Sequence, residues 1–241
     1  MCRKFASCGG QTHVGHPEFP TKMEWYMIPE IRFRDYVECL GDIYAARSVT
    51  IPIQGDTRDA FTKAVISFDQ DHEIFRMREK KISMAFGYFH QNLAGKFNGY
   101  QTLKNGTSSG LDVIKEDGSE FWEWKNRHNT MNAASAKETE NKLMAQVNQG
   151  RRAFLVQVNC PGGKVSRFKM AAAITILNGE QAYAYISGRP NFFSDLITTL
   201  TETFVKFKTY SEIQQFAGQL HEPASQVPHS QSACTAPTSP P

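Results

Sequence analysis

Two acidic residues and one lysine near the middle of the chain have the types and spacing of a phosphodiesterase site: Asp112, Glu123 and Lys125. Mg²⁺ prefers carboxylate oxygens, and it commonly takes one or two protein carboxylates beside the phosphate oxygens of a substrate. A lysine next to such a pair can stabilise an attacking hydroxide or the negative charge that develops at phosphorus. The three side chains therefore predict a metal-dependent phosphodiesterase if the fold brings them together.

A predicted β-hairpin would bring these residues together. Asp117-Gly118 is typical of a tight turn, and the aromatic stretch from Glu120 to Asn126 is typical of a strand. Asp112 is expected to end the apolar-flanked strand that comes before the turn. Because side chains alternate along a strand, Glu123 and Lys125 point to one face, and the two tryptophans of the strand point to the other. The two carboxylates and the ammonium group then meet at the open end of the hairpin.

The tripeptide Glu-x-Lys is not specific on its own, because it occurs three times in the chain. The three copies are Glu79-Lys80-Lys81, Glu123-Trp124-Lys125 and Glu140-Asn141-Lys142. The first and third lie in charged stretches of helical composition, where a Glu/Lys pair is usually a solvated helix face. The second alone follows an acidic residue and a tight turn, within an aromatic strand. An ordinary edge hairpin with its charges outward is the alternative interpretation.

The residues that follow Lys125 extend the pattern. They read Asn126-Arg127-His128-Asn129-Thr130-Met131-Asn132 and lead into a helix rich in Ser and Ala. With Asp112 and the Glu-x-Lys tripeptide, this segment resembles the PD-(D/E)xK type II restriction endonucleases, in particular the small group that cuts GGNCC-like sites. The similarity covers Phe86 to Val158, roughly a third of the chain, and it includes Gly87-Tyr88-Phe89-His90-Gln91 and Gly99-Tyr100.

The resemblance implies an α/β fold with a restriction-endonuclease-like core, in which helices flank a central mixed β-sheet. Asp112, Glu123 and the backbone carbonyl of Trp124 would bind Mg²⁺, and Lys125 would be the catalytic lysine. No proline precedes Asp112, unlike the pattern that names the family. Gln91 holds the position where some members have a further acidic residue, so we assign no additional upstream ligand.

The implied activity is Mg²⁺-dependent, site-specific hydrolysis of double-stranded DNA that leaves 5′-phosphate ends. Palindromic targets favour a homodimer, because a two-fold axis in the protein then matches that of the DNA. A cognate DNA methyltransferase is the expected genetic partner. Two alternatives remain open: a DNA repair or junction-resolving nuclease with the same core, and a non-catalytic DNA-binding protein in which the hairpin charges are structural.

Candidate DNA contacts are basic and amide side chains near the hairpin and in two later turns, since such groups bind phosphates and base edges. They are Arg127, His128, Asn129, Asn132, Lys164, Arg167 and Arg189. Asn132 and its neighbours are equally well suited to cap the following helix. Arg189 precedes a proline at a predicted helix start, where a phosphate or a plain strand-to-helix turn would fit. His128 as a general base is a weaker interpretation, because no histidine partner is nearby.

Other elements follow from periodicity. Two helices are predicted between Asp59 and Asn92, with a break near Asp69. A helix at Ser135 to Gln149 and a buried strand at Ala153 to Asn159 should form the crossover after the hairpin. The remaining predictions are strands at Val165 to Met170, Ala172 to Leu177 and Gln181 to Ser187, and a last long helix at Asn191 to Phe207.

Length and composition favour one globular domain, because 241 residues with 40% hydrophobic side chains can form a sizeable core. Residues 1–22 are predicted to be a flexible leader, residues 23–218 the PD-(D/E)xK nuclease domain, and residues 219–241 a disordered tail. The net charge of +3 does not by itself indicate a nucleic-acid partner. No apolar run is long enough to cross a membrane.

Five scattered cysteines, an odd number, do not form a disulfide framework and favour a reducing, cytoplasmic location. Cys2, Cys8, His13 and His16 lack the close cysteine pair of structural zinc sites, so a loose leader is the preferred interpretation of that segment.

Overall fold

The structure, a computed structural model, describes residues 23–52, 58–65, 69–103, 109–127, 131–160 and 170–220, and the statements below concern those residues. In chain order, the elements are α1 (Phe33–Ser48), α2 (Ala60–Val65), α3 (Gln70–Ala94), β1 (Tyr100–Thr102), β2 (Val113–Lys115), β3 (Glu120–Arg127), α4 (Ala133–Val147), β4 (Arg152–Asn159), β5 (Ile174–Asn178), α5 (Gly179–Ser187), α6 (Phe192–Lys206) and α7 (Tyr210–Gln219). Within these ranges no helix is long and apolar enough to cross a membrane.

The strands form one mixed sheet in the order β1-β2-β3-β4-β5. β1, β2 and β3 pair antiparallel, whereas β3, β4 and β5 pair parallel. The parallel step from β3 to β4 is made through α4, as such a connection requires a crossover. Helices flank this sheet, so the predicted α/β class with a central mixed sheet is confirmed.

The two faces of the sheet have separate hydrophobic cores. On one face Trp122 and Trp124 pack into a large core with α1, α3, α5, α6 and α7. On the other face Phe121 of β3 and Leu155 of β4 pack against α4 through Leu143. Since alternate residues of a strand share a face, Glu123 and Lys125 lie together on the side opposite to the two tryptophans, as predicted, and this is the side that α4 covers.

The hairpin forms as predicted. Gly118, at φ +71°, donates its N–H to the Lys115 carbonyl, and the Asp117 side chain accepts from the Ser119 N–H at 2.9 Å. One detail of the prediction is wrong: Asp112 does not end a strand but lies immediately before β2. The reason is that Gly110, at φ +59°, redirects the chain just ahead of the hairpin.

The predicted helices are largely confirmed. α2 and α3 lie on either side of the expected break, and the Asp69 side chain caps α3 by accepting from the His72 N–H at 3.0 Å. α4 and β4 lie within two residues of their predicted bounds. α6 matches the helix predicted at Asn191 to Phe207, but it is not the last one, because α7 follows it.

The strand predicted at Gln181 to Ser187 is wrong, because these residues form α5. The alternating sequence Gln-Ala-Tyr-Ala-Tyr-Ile imitates a strand, yet a capping box starts a helix: the Asn178 side chain accepts from the Gln181 N–H, and the Gln181 side chain accepts from the Asn178 N–H. Tyr183 and Ala182 then pack into the larger core.

The strand predicted at Ala172 to Leu177 is described in full, and it starts two residues late and ends one residue late, because Ala172 and Ala173 form a turn before β5. Several other predictions fall partly or wholly outside the described residues. The strand predicted at Val165 to Met170 lies almost entirely outside. Residues 1–22, with the cysteines and histidines considered for zinc, and residues 221–241 also lie outside, so the leader and tail stay predictions.

Candidate active site

Asp112, Glu123 and Lys125 come together on the α4 side of the hairpin. The pairing of Val113 with Trp122 sets the register and brings the residue before β2 level with Glu123. The Asp112 Oδ2 atom accepts the Trp124 backbone N–H at 2.7 Å, and the Lys125 Nζ atom lies 2.5 Å from Glu123 Oε1. The predicted convergence of two carboxylates and one ammonium group is thus present.

Glu123 has the environment of a carboxylate that needs a further partner. Its side chain is buried, and its Oε2 atom has no hydrogen-bond partner among the described residues, while Oε1 binds Lys125. A buried, unpaired carboxylate oxygen is costly, because it has lost water without a replacement. A cation at this point would satisfy it.

Asp112 lies close enough to Glu123 for the two carboxylate charges to repel each other. Burial, with the nearby Glu123 carboxylate as the second cause, raises the pKa of Asp112 to about 7. The Trp124 N–H, the Lys125 ammonium and a hydrogen bond from the Gln91 side chain act in the opposite direction. Gln91 thus contacts Asp112, and the residue there is an amide donor rather than a further acidic ligand.

The backbone of Trp124 supplies a third oxygen in the right direction. In a strand, the N–H and C=O of one residue point to the same edge, so the Trp124 carbonyl points to the edge at which its N–H meets Asp112. β2 has paired with β3 only as far as Trp122 there. Within the described ranges no three His, Cys, Asp or Glu side chains form a metal cluster. Two carboxylates and one carbonyl oxygen form a donor set of the kind that Mg²⁺ takes while keeping several waters.

Aromatic packing fixes the strand from behind. Trp122 stacks on Phe154 of β4 with ring centroids 4.0 Å apart, and Trp124 contacts the ring of Tyr183 at 5.2 Å. The Tyr183 hydroxyl in turn lies 2.8 Å from Nδ1 of the buried His90 on α3. Burial lowers the pKa of His90 to about 3, so this ring is neutral at physiological pH. These contacts hold the backbone of Glu123 and Lys125 in place.

The start of β3 is held by a buried acid. Glu120 forms an ion pair with Arg152 of β4 and accepts hydrogen bonds from Tyr100 at 3.1 Å and Tyr185 at 3.0 Å. These partners come from β1, β4 and α5. The network therefore sets the position of β3 at the end opposite to Lys125.

An open hollow lies beside the candidate site. It has a volume of about 250 Å³ between α3 and the second half of β3. Its lining includes Tyr88, Gln91, Trp124, Lys125 and Asn126. Lys125 thus pairs with Glu123 and also lines a space that a ligand can enter.

A second lysine, Lys142 of α4, also borders the site. Its Nζ atom lies 2.7 Å from Glu138 Oε1, and attraction to Glu138 and then to Glu123 and Asp112 raises its pKa against burial. The interpretation of Glu140-Asn141-Lys142 as a solvated helix face therefore does not hold for Lys142. No local pattern distinguishes this lysine, because its acidic neighbours at Asp112 and Glu123 are distant in sequence.

The predicted DNA contacts are only partly near the site. Arg127 ends β3, two residues after Lys125, and its guanidinium lies 3.1 Å from Glu79 on α3, with both side chains exposed. Asn132 caps α4, since its side chain accepts the Ser135 N–H at 2.9 Å, so the capping interpretation is confirmed and a base contact stays a prediction. His128, Asn129, Lys164 and Arg167 lie outside the described residues.

Arg189 is not brought to the site. Its guanidinium forms ion pairs with Asp195 at 2.6 Å and Glu30 at 2.7 Å, and it donates to the Met27 carbonyl at 2.8 Å. It follows α5, whose Tyr185 reaches Glu120 at the opposite end of β3. This geometry fits a structural link between α6 and the segment before α1.

Comparisons with known proteins agree with this geometry. A sequence model described as Eco47II restriction endonuclease matches residues 51–208. The type II restriction enzyme Sau96I of Staphylococcus aureus is 27% identical over 142 residues, which cover 52% of this chain and 54% of that enzyme. The chain thus spans about half the length of this relative. Both matches agree with the resemblance inferred from the sequence.

Proposed function

Because the chain belongs to the Eco47II restriction endonuclease family, we propose that it is a type II restriction endonuclease, which cleaves double-stranded DNA at specific sites. The observation that supports this most is the meeting of Asp112, Glu123 and Lys125 around a buried carboxylate oxygen that no described residue partners. A merely structural edge hairpin would have no reason to bury this charge.

We propose Mg²⁺ as the cofactor, held by Asp112, Glu123 and the carbonyl of Trp124. When bound, the ion would supply positive charge that offsets the charge developing at phosphorus and favours ionisation of the attacking water. The Glu123 Oε2 atom, which has no hydrogen-bond partner in the described part of the chain, and the oxygen-only donor set support this assignment.

The protein's own groups then have separate roles. The Trp124 N–H and the Gln91 amide orient the Asp112 carboxylate. Lys125, beside the open hollow, would donate a hydrogen bond to a non-bridging phosphate oxygen. In the overall reaction a water oxygen bonds to phosphorus and the bond to the 3′ oxygen breaks. That oxygen takes up a proton, which leaves 5′-phosphate and 3′-hydroxyl ends.

We also propose a homodimer, with one site for each DNA strand, and a cognate DNA methyltransferase that protects the host's own sites. The palindromic targets expected of this family support the first, since a two-fold axis matches their symmetry. The need of the host cell to keep its own recognition sites uncut supports the methyltransferase.

A cleavage assay on phage DNA tests the proposal. Purified protein with Mg²⁺ should give discrete fragments, while EDTA or Lys125→Met should abolish them. Lys137→Met is a matched control, because Lys137 is an exposed lysine paired with Glu140 on α4. Nicks only at junctions or damaged positions would indicate a repair nuclease. Binding without products would indicate a non-catalytic protein, and either result would refute the proposal.

A further inference from the structure

Lys142 and Glu138 form an ion pair at the rim of the candidate site, in which the lysine is the inner partner. The lysine side chain is 35% exposed, whereas that of Glu138 is 67% exposed. The neighbouring pair on α4 has the opposite arrangement: Lys137 is 69% exposed and Glu140, which also accepts the Ala171 N–H, is 18% exposed. Lys142 is therefore directed inward by something other than its helical partner.

The inward direction depends on Gly110. A Cβ atom at Gly110 would lie 3.2 Å from Lys142 Cε and 3.5 Å from Nζ, so the lysine stem crosses the space that any other residue would fill. Gly110 is two residues before Asp112, and its φ of +59° also disfavours a side chain. This crossing brings the Lys142 ammonium within electrostatic range of Glu123 and Asp112, while Lys125 forms the ion pair with Glu123.

The charges around Lys142 are those of a group poised to exchange partners. The pKa of Lys142 is raised by Glu138 and also by Glu123 and Asp112. The pKa of Glu138 is lowered by Lys142 and, to a smaller extent, by Lys125. Glu138 is well exposed, and an ion pair with an exposed partner contributes little to stability, so Lys142 can leave Glu138 at small cost. A DNA phosphate can replace Glu138 as the partner of Lys142, because hydrogen bonds between an ammonium group and a phosphate are charge-assisted and strong.

We infer that Lys142 binds a DNA phosphate at the rim of the candidate active site. In the protein without DNA, the Lys142 ammonium group is paired with Glu138 instead. This inference rests on the proposed function for its ligand. It assigns a phosphate contact outside the Glu-x-Lys pattern, and it gives Gly110 a role in letting the lysine reach that contact.

The test measures DNA binding as a function of salt. Because phosphate contacts carry no sequence information, a random-sequence duplex is a sufficient probe, with EDTA or Ca²⁺ present so that nothing is cut. Lys142→Met keeps the apolar stem and should weaken binding about tenfold, while the slope of log K against log salt should become shallower by about 0.9. The control Lys137→Met, on the same helix, should keep the slope of the unmodified protein.

A double-mutant cycle tests the masking by Glu138. Glu138→Gln should tighten binding about two- to threefold, and that gain should disappear when Lys142 is already Met. Gly110→Ala should weaken binding in the same sense as Lys142→Met, and thermal melting shows whether it still folds. An unchanged salt slope in Lys142→Met, or an equal gain from Glu138→Gln in both backgrounds, would overturn the inference.

Cleavage of phage DNA by the unmodified protein, measured in parallel, separates the two proposals. If the unmodified protein cleaves DNA but Lys142→Met binds DNA normally, the inference is refuted and the proposed function stands. Binding that depends on Lys142, without cleavage, supports the inference and refutes the proposed function. The absence of any DNA binding refutes both.

Discussion

Replacing Asp112 by Asn should stabilise the cation-free protein at alkaline pH, although it should abolish the proposed cleavage. The reason is that burial and the Glu123 carboxylate raise the pKa of Asp112 to about 7, so ionising this group is unfavourable in the folded protein. Asn has nearly the same shape and no charge. The stability gained by the variant measures the cost of preparing a cation site.

The sign and size follow from proton linkage. The unfolded chain loses the Asp112 proton near pH 4, whereas the folded protein holds it up to about pH 7. The free energy of unfolding therefore falls as pH rises between those values, and the full loss is present above them. A difference of about three between the two pKa values, at about 1.4 kcal/mol each, sets a ceiling of about 4 kcal/mol. Asn has one acceptor oxygen where Asp has two, and weakening one of the hydrogen bonds from Trp124 and Gln91 would remove about 1–3 kcal/mol. A net gain of about 1–3 kcal/mol remains.

Denaturant unfolding in EDTA at pH 5 and pH 8 measures this gain. The variant should exceed the unmodified protein at pH 8, and the difference should shrink or reverse at pH 5. Asp117→Asn is the control with the opposite sign, because the hydrogen bonds from Ser119 lower the pKa of Asp117. Added Mg²⁺ should stabilise the unmodified protein more than Asp112→Asn. A variant that is less stable at pH 8, or a pH-independent difference, would refute the reasoning.

Three further predictions concern single side chains. Lys125→Met should lower cleavage at least about a hundredfold while changing DNA binding in Ca²⁺ by less than tenfold, and near-normal cleavage would remove Lys125 from the site. Asn132→Ala should cost about 0.5–2 kcal/mol of unfolding free energy with base preference unchanged, as binding to singly substituted duplexes would show; the reverse result would indicate a base contact. His90 has a folded pKa of about 3, so protonation of the unfolded chain lowers stability as pH falls below about 6.5. His90→Gln should remove about 2 kcal/mol of the loss between pH 6.5 and pH 5, and an unaltered pH dependence would contradict the buried, neutral ring.

The chemistry of the hairpin could be predicted because its determinants are local. Asp117-Gly118 specifies the turn, and strand alternation then assigns Glu123 and Lys125 to one face without any knowledge of the rest of the chain. The location of Asp112 beside Glu123 was predicted correctly, but its place relative to the strand was not. The sequence does not reveal that Gly110 has a positive φ, because a glycine fits many loop shapes.

Contacts between distant segments could not be predicted in this way. Gln91 reaches Asp112 from α3, and Lys142 reaches Gly110 from α4. Neither contact produces a repeating pattern in the sequence from which it could be predicted. The error in α5 has a different cause. The alternation around Tyr183 suits a strand as well as a helix, and only the capping box at Asn178 and the burial of one side decide between them.

The shortness of β2 has a consequence for how the protein avoids association. Beyond Trp122, β3 pairs with no other described residue as a strand on the Asp112 side, and an open edge of this kind invites pairing with another chain. Asp112 takes up the Trp124 N–H at that edge, and the Asn126 side chain donates to the Ser83 carbonyl of α3 at 2.8 Å. An inward-pointing charge and a covering helix are two recognised protections of a sheet edge. Asp112→Ala would remove both the charge and the acceptor of the Trp124 N–H and expose the edge to intermolecular strand addition. Asp112→Asn keeps an acceptor oxygen for that N–H, so it is the sounder inactive variant for structural work.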